Sequence, residues 1–115
     1  MLKRSFAAVP VAAMLLAAPV MAQNCSAPDM VVDLPDGKSA TLEQMNAART
    51  KVAGAKGSMD EYLKCLDMQM SSLKSANRLS GGERKDLVDR YNGGVNSLAR
   101  LAAQFNDQLK AFKSR

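Results

Sequence analysis

The side chains that most often carry out enzymatic chemistry are thinly represented in this sequence. It contains no histidine, so the commonest general base and the commonest metal ligand are both missing. Carboxylates occur close together at Asp60 and Glu61 and at Asp86 and Asp89, where Arg90 follows. Their spacing is typical of charged, solvated helix faces. The serine and threonine residues have no neighbouring base that could activate them. We therefore expect no enzyme and no catalytic residue.

The two cysteines, Cys25 and Cys65, are the next candidates for chemistry. Their separation is far wider than the C-x-x-C spacing of redox and metal-binding thiol pairs. In a small exported domain, an even number of cysteines is typical of a disulfide. We predict a structural bridge, with a redox or metal-binding thiol pair as the alternative. Closure of a loop of about 40 residues would stabilise the fold by roughly 4 kcal/mol.

Methionine is abundant, and Met68 and Met70 lie close together, with Met45 and Met59 earlier in the chain. Thioether groups are soft ligands that bind copper(I) in exported proteins. Side chains two residues apart on a helix diverge by about 200°, however, so Met68 and Met70 are poorly placed to hold one ion. We interpret these methionines as filling for an apolar core. The sequence therefore predicts no metal and no cofactor.

The hexapeptide LSGGER, residues 79–84, resembles the signature peptide that holds the γ-phosphate of ATP in ABC-transporter ATPases. The phosphate-binding pattern G-x-x-x-x-G-K-[ST] is absent from the sequence, however. A simpler interpretation is a tight turn that opens a helix, in which Ser80 is the N-cap and Glu83 completes a capping box. We predict this turn-and-cap role for Ser80, Gly81, Gly82 and Glu83, and no nucleotide binding.

The first 22 residues have the layout of a secretory signal peptide. Lys3 and Arg4 precede an apolar stretch at residues 6–18, and small or aliphatic residues then lead up to Ala22. The alternative, a membrane anchor, would need about 20 consecutive apolar residues, which is more than this stretch provides. We expect export to the periplasm, with residues 1–22 removed by cleavage after Ala22.

The composition of the mature chain narrows the function further. Taking Lys3 and Arg4 from the 16 basic residues leaves 14 against 11 acidic ones, a net charge of +3. This mild excess is not the concentrated basic stripe that nucleic-acid-binding proteins show, so we expect no nucleic-acid partner. The roughly 93 remaining residues are enough for one small domain. Aromatic residues are few, which favours thin helical packing over a thick core.

Residues 23–40 are predicted to form an extended tail, because two prolines and an Asp-Gly turn signal interrupt them. The tail carries an apolar patch at residues 30–34. Fully extended, the chain from Cys25 to the start of the following helix reaches about 53 Å. Cys65 lies only about 36 Å along that helix. The tail can therefore run back along the helix, place its patch in a groove and be held there by the bridge.

Residues 41–115 are predicted to form a hairpin of two helices, at about 42–78 and 82–113. Thr41 opens the first with a capping-box pattern, and apolar residues then recur every seven positions. In the second helix apolar residues alternate steps of three and four. The first stripe consists of Met45, Ala48, Val52, Ala55, Met59, Tyr62, Leu66, Leu73 and Ala76, with Gln69 as a polar exception, and Leu63 and Met70 beside it. The second consists of Val88, Tyr91, Val95, Leu98, Ala102, Phe105, Leu109 and Phe112.

Glycines interrupt both helical patterns, at Gly54 and Gly57 and at a Gly-Gly pair, residues 93–94. Each costs about 1 kcal/mol relative to alanine in a helix. The heptad phase nevertheless continues across both places, so we expect continuous helices, with breaks as the alternative. A hairpin folded at LSGGER would also set Gly54 and Gly57 opposite Phe105 and Leu109.

The end of the second helix is both apolar and basic. Leu98, Phe105, Leu109 and Phe112 lie on one side of it, and three basic residues cluster at the C terminus. A basic amphipathic helix can lie on an anionic membrane surface. Alternatively, this side packs on the first helix and the cations complement the helix C-terminus. We take these four residues as a candidate interaction face, with both interpretations open.

Four short motifs suggest relatives of the N-terminal half. They are C-x-A-P from Cys25, P-D-G from Pro35, E-x-M from Glu43 and Y-L-x-C from Tyr62. Over residues 25–66 the sequence resembles small uncharacterised periplasmic proteins of proteobacteria. The resemblance implies a periplasmic location and brings no established activity with it.

The expected fold is therefore all-α, an antiparallel, coiled-coil-like two-helix hairpin whose extended N-terminal tail is stapled to the first helix by a disulfide. The expected function is that of a small exported protein with a structural or partner-binding role. Its partner would be another envelope protein or a second copy of itself. The alternative is a protein that binds the envelope membrane surface through its C-terminal helix.

Overall fold

The computed structural model describes residues 24–115 and contains two long helices. The helix α1 comprises Leu42–Ser75 and the helix α2 comprises Gly81–Lys113. They pack against each other as an antiparallel hairpin, and the described residues include no β-strand. The predicted all-α hairpin is thus confirmed. The predicted signal peptide, residues 1–22, lies outside the described part of the chain.

The start of α1 is capped as its sequence predicts. The Thr41 hydroxyl accepts a hydrogen bond from the Gln44 amide at 3.1 Å, and the Gln44 side chain accepts one from the Thr41 amide at 2.9 Å. Two of the otherwise unpaired N–H groups of the first turn are satisfied in this way. The helix then continues without a break through Gly54 and Gly57, as the unbroken heptad phase indicates.

The end of α1 comes earlier than predicted, at Ser75 instead of Arg78. Asn77 has a φ of 53°, in the left-handed region, where the helix cannot continue. The Arg78 amide donates to the Leu73 carbonyl at 2.8 Å, and the Asn77 amide donates to the Lys74 carbonyl at 3.1 Å. These two bonds form a Schellman motif, which satisfies carbonyls that a helix end leaves unpaired.

The LSGGER peptide forms the start of α2, but its glycines do not make the turn. Gly81 and Gly82 are the first two residues of α2, and no glycine in the described part of the chain has a positive φ. Ser80 is the N-cap, and its hydroxyl accepts a hydrogen bond from the Glu83 amide at 3.1 Å. The reciprocal bond of a capping box is not formed, because the Ser80 amide donates to the Arg78 carbonyl instead.

Two clusters of buried side chains hold the hairpin together. The central cluster consists of Cys25, Met59, Tyr62, Leu66 and Leu87. The open-end cluster, near the free ends of the helices, consists of Ala40, Met45, Ala48 and Phe105. Both clusters combine residues of the tail or its end with residues of α1 and α2. The core is therefore a seam along the hairpin, covered by the tail, as expected for a chain with few aromatic residues.

The predicted stripe of α2 is wrong in part, because the seam is shifted by one residue along half of the helix. Val88 and Val95 are 38% and 42% exposed, and Ala102 is exposed as well. The buried residues stand one position earlier, at Leu87, Gly94 and Leu101. Tyr91, Leu98 and Phe105 lie inside the hairpin in either register, so the error affects one residue in each heptad.

The two helices approach each other closely at Gly94, in the shifted seam. A Cβ atom at Gly94 would lie 2.9 Å from Sδ of Met59 and 3.0 Å from Cδ2 of Leu63. A larger residue there would displace these side chains of α1. The expectation that Gly54 and Gly57 face large residues of α2 is wrong. Both are exposed, and no other part of the described chain comes within 4 Å of a Cβ built on either.

The tail is stapled to α1 as predicted, by a disulfide between Cys25 and Cys65 whose Cα atoms are 5.8 Å apart. From Cys25 the tail runs parallel to α2 toward the open end of the hairpin. There the Gly37 amide donates to the Gln108 side-chain oxygen at 2.9 Å, and Arg115 donates to the Lys38 carbonyl at 3.3 Å. The tail therefore follows α2 from Arg90 to its C-terminus.

The apolar patch of the tail lies only partly in the groove. Met30 packs against the central cluster and Leu34 packs against the open-end cluster. Val31, by contrast, is 87% exposed. Successive side chains of an extended segment point to opposite sides, so a patch of this kind can bury only some of its members.

Candidate functional site

Arg90 of α2 connects this helix to both α1 and the tail. Its Nη2 donates a hydrogen bond to the Cys25 carbonyl at 2.6 Å, and its Nε donates to the Tyr62 hydroxyl at 3.3 Å. The Asp86 carboxylate, one turn earlier, lies 3.8 Å from Nη1. The sequence indicates Arg90 only as a neighbour of acidic residues. Its position three residues after Leu87 is the signal that places it beside the seam, within reach of the tail.

The acidic residues that the sequence offers for chemistry form ordinary surface ion pairs. Asp60 pairs with Lys56 at 2.8 Å and Asp89 pairs with Lys85 at 2.6 Å, each one helical turn apart. The Asp89 carboxylate accepts a hydrogen bond from the Lys85 ammonium and so raises the pKa of Lys85 above its usual value. Glu61 is exposed. These carboxylates do not converge on a common point where a substrate could bind.

The methionines lie in different surroundings. Met68 is exposed, whereas Met70 is half-buried and packs against the central cluster. Among residues 24–115, no group of three or more histidine, cysteine or acidic side chains could hold a metal ion. Both cysteines are used in the disulfide.

The candidate interaction face at the end of α2 is packed inside the molecule. Phe105 is buried, and Leu98, Leu109 and Phe112 are half-buried against the two clusters. The guanidinium of Arg115 lies 4.4 Å from the centre of the Phe112 ring, so part of the basic end is also engaged. No helix within the described residues is both long and apolar enough to cross a membrane.

A second apolar surface lies on α2, and we call it the outer strip: Val88, Val95 and Ala102, all of them exposed. Helical geometry sets its position. Leu87, Gly94 and Leu101 form the buried column of α2. A residue one position after a member of this column points about 100° to one side of it, and a residue three positions after points about 60° to the other side. The tail lies on the latter side, since Arg90 bonds to it and since Ser97 and Gln104 line one groove with tail residues 30–32. The outer strip is therefore on the side of the hairpin away from the tail.

The groove that holds the tail extends beyond it. We call the part that residues 24–115 leave uncovered, between the level of Cys65 and the turn, the open groove. It measures about 410 Å³, within the range of about 300–1,000 Å³ that ligand clefts have. The open groove is lined by Gln69, Leu73, Gly82, Glu83, Asp86 and Leu87. Leucines form its floor, and carboxylates and an amide stand along its edges.

No protein-family model matches this sequence, and neither a curated protein nor a solved structure matches the chain. The resemblance of residues 25–66 to periplasmic proteins therefore stays a prediction.

Proposed function

We propose that this protein is exported to the periplasm and acts there as a small partner-binding or structural protein, without enzymatic activity. The signal-peptide layout of residues 1–22 supports export. The bridge between Cys25 and Cys65 supports it as well, since disulfides persist in oxidising compartments.

The observation that carries the binding role is the outer strip. Along α2 two apolar columns stand side by side, and only the column of Leu87, Gly94 and Leu101 is buried. A helix that is apolar over more than one narrow seam is typical of a helix with two neighbours. Among residues 24–115 no second neighbour covers the outer strip, because the tail lies on the other side of α2. A helix of another envelope protein, or of a second copy, fits the outer strip.

Binding to a membrane surface through the C-terminal helix is supported less well. It would require Phe105, Leu109 and Phe112 to leave the open-end cluster and expose their apolar surface. Burying one such side chain stabilises a fold by about 1.5–3 kcal/mol, so their release would be unfavourable. The outer strip, in contrast, can bind a partner without any rearrangement of the hairpin.

Site-specific photocrosslinking in the periplasm tests this proposal. A photoreactive amino acid placed at Val95 should form an adduct with a polypeptide, because the outer strip is where the partner lies. The same amino acid at Asp107, an exposed position on α2, serves as the matched control and should form none. Mass spectrometry of the adduct distinguishes a second copy from another envelope protein.

A second variant separates binding from folding. Val95→Asp places a charge on an exposed position and should leave the melting temperature nearly unchanged, while the adduct formed from a photoreactive residue at Val88 disappears. If the adducts at Val95 and Asp107 were equally abundant, or if Val95→Asp left the Val88 adduct intact, the outer strip would not be the binding surface.

A further inference from the structure

The tail shows how the groove of this hairpin binds an extended polypeptide. Its apolar side chains are taken up by the seam, Met30 by the central cluster and Leu34 by the open-end cluster. Its backbone is held by side chains of α2. Arg90 donates to the carbonyl of Cys25, and the Gln108 amide oxygen accepts from the amide of Gly37. The groove thus binds the tail with an apolar floor and with polar side chains at its edge that form hydrogen bonds to the backbone of the tail.

The open groove continues this arrangement beyond Cys25, toward the turn. Leu73 is half-buried and Leu87 is 2% exposed, so they form an apolar floor. Gln69 stands on the α1 edge, and its Oε1 lies 3.5 Å from Sγ of Cys25, where the covered and uncovered parts of the groove meet. The two parts of the groove are therefore continuous and similarly built.

Charge distinguishes the open groove from the part that the tail fills. Glu83 and Asp86 line its α2 edge. The carboxylate of Glu83 does not close a capping box, since the Ser80 amide donates to Arg78. Asp86 lies 3.8 Å from Arg90, and its side chain is 67% exposed. Ionised carboxylates only accept hydrogen bonds, so they favour backbone N–H groups and the cations of lysine or arginine.

We propose that the open groove binds an extended segment of a partner polypeptide in which apolar residues alternate with basic ones. The apolar side chains would occupy the floor over Leu73 and Leu87, and the basic side chains would pair with Glu83 and Asp86. The segment continues the path of the tail toward the turn. This inference rests on the proposed partner-binding function, but it concerns a surface on the other side of the hairpin from the outer strip.

The test uses the disulfide-bonded mature protein and two short, blocked peptides. One peptide alternates leucine with lysine, and the other has glutamate in place of lysine. Fluorescence anisotropy of labelled peptides measures affinity, and NMR of the methyl groups of Leu73 and Leu87 reports the place of binding. We expect the lysine peptide to bind and to shift these methyl resonances, and the glutamate peptide to do neither.

Charge-neutralising variants then test the edge groups. The double variant Glu83→Gln and Asp86→Asn keeps the shape of both side chains and should weaken binding of the lysine peptide about tenfold, or roughly 1.4 kcal/mol. The matched control, Glu61→Gln with Asp107→Asn, removes the same charge from other exposed positions and should change the affinity by less than about twofold. Circular dichroism confirms that both variants fold.

Two results would overturn the proposal. One is an equal loss of affinity in both double variants, which would show a general charge effect. The other is a set of methyl shifts at Val88 and Val95 in place of Leu73 and Leu87, which would place the peptide on the outer strip. The Val95→Asp variant should bind the lysine peptide normally. Failure at the outer strip and failure at the open groove are therefore distinguishable.

Discussion

The guanidinium of Arg90 donates a 2.6 Å hydrogen bond to the backbone carbonyl of Cys25, a residue 65 positions earlier in the chain. The same group reaches the Tyr62 hydroxyl, so one side chain of α2 contacts both the tail and α1. Because Cys25 is also bonded to Cys65, the tail is fixed at this place by a covalent bond and by a charged hydrogen bond. Arg90 thereby fixes the position of Cys25 on α2, which is the level where the open groove ends.

Replacement of Arg90 should destabilise the protein, because this half-buried guanidinium bonds to both the tail and α1. Arg90→Ala is expected to lower the free energy of unfolding by about 1.5–3 kcal/mol, the contribution of a hydrogen bond to a charged group. Arg90→Lys should restore little, since an ammonium cannot reproduce the fork of the guanidinium. Urea unfolding measures both. Arg100→Ser, at an exposed position, is the control and should have almost no effect; a comparable effect there would refute the role of Arg90.

The adjacent glycines of α2 should respond oppositely to the same change. No described atom outside the local helix lies within 4 Å of a Cβ built at Gly93, so Gly93→Ala should stabilise the protein by roughly 1 kcal/mol through helix propensity. At Gly94 the new methyl group would press on Met59 and Leu63. Gly94→Ala should therefore be less stable than Gly93→Ala by about 1–3 kcal/mol. Equal melting temperatures for the two variants would contradict the shifted seam.

Gly37 should tolerate no side chain. A Cβ there would overlap the backbone carbonyl of Gln108 and lie 3.0 Å from the amide nitrogen of Phe112. Backbone cannot move aside as a side chain can, so Gly37→Ala should detach the end of the tail and break the 2.9 Å hydrogen bond to Gln108. Hydrogen exchange at Ala40 should accelerate. Gly57→Ala, with open space around it, is the matched control and should leave this exchange unchanged.

Reduction of the disulfide should loosen the tail while the helices persist. The bridge closes a loop with a sequence separation of 40, so its loss should lower the free energy of unfolding by roughly 4 kcal/mol at most. In the oxidised mature protein the disulfide should lie within one chain, so its mass should be that of a monomer that has lost the two thiol hydrogens. A double Cys25→Ser and Cys65→Ser variant should match the reduced protein in melting temperature. Free thiols in the exported protein, detected by intact-mass measurement, would contradict the stapled tail.

Ser80 should act as a helix cap and not as part of a nucleotide site. Ser80→Ala removes the hydroxyl that accepts from the Glu83 amide and should cost about 1 kcal/mol. Thr41→Ala should cost about 1 kcal/mol as well, because the hydroxyl that accepts from the Gln44 amide is lost, whereas the backbone amide of residue 41 can still donate to the Gln44 side chain. Millimolar ATP with magnesium should leave the melting temperature unchanged. A concentration-dependent rise in that temperature would indicate nucleotide binding and overturn the interpretation of LSGGER as a cap.

The local features of this protein are legible in its sequence because each depends on a few neighbouring residues. The capping box at Thr41 and the N-cap at Ser80 follow from short hydrogen-bonding patterns. The extended tail follows from its prolines, and its bridge to α1 follows from the pair of cysteines, which the length of the tail allows to meet. The continuity of both helices follows from an apolar period that glycines do not disturb. Together these features specify a disulfide-stapled hairpin.

The register of α2 against α1 could not be chosen on the same basis. Leu87 and Val88, and likewise Leu101 and Ala102, are adjacent apolar residues, so two seams one position apart satisfy the heptad almost equally well. Packing on α1 decides between them, since Gly94 receives the side chains of Met59 and Leu63. A glycine has no apolar side chain, so the apolar pattern of the sequence does not mark Gly94 as a buried position.

Contacts between distant segments were decided by the tertiary structure alone. The bonds of Arg90 to Cys25 and of Gln108 to Gly37 join residues 65 and 71 positions apart, and no local pattern marks either pair. The left-handed position at Asn77 shows the same limit at short range, because the neighbouring glycines predict the turn more strongly than asparagine does. The sequence by itself therefore determined the helices, their caps and the staple. Only the packed structure decided which face of α2 is buried, where the tail ends and which surfaces stay open, because each of these depends on side chains meeting across the hairpin.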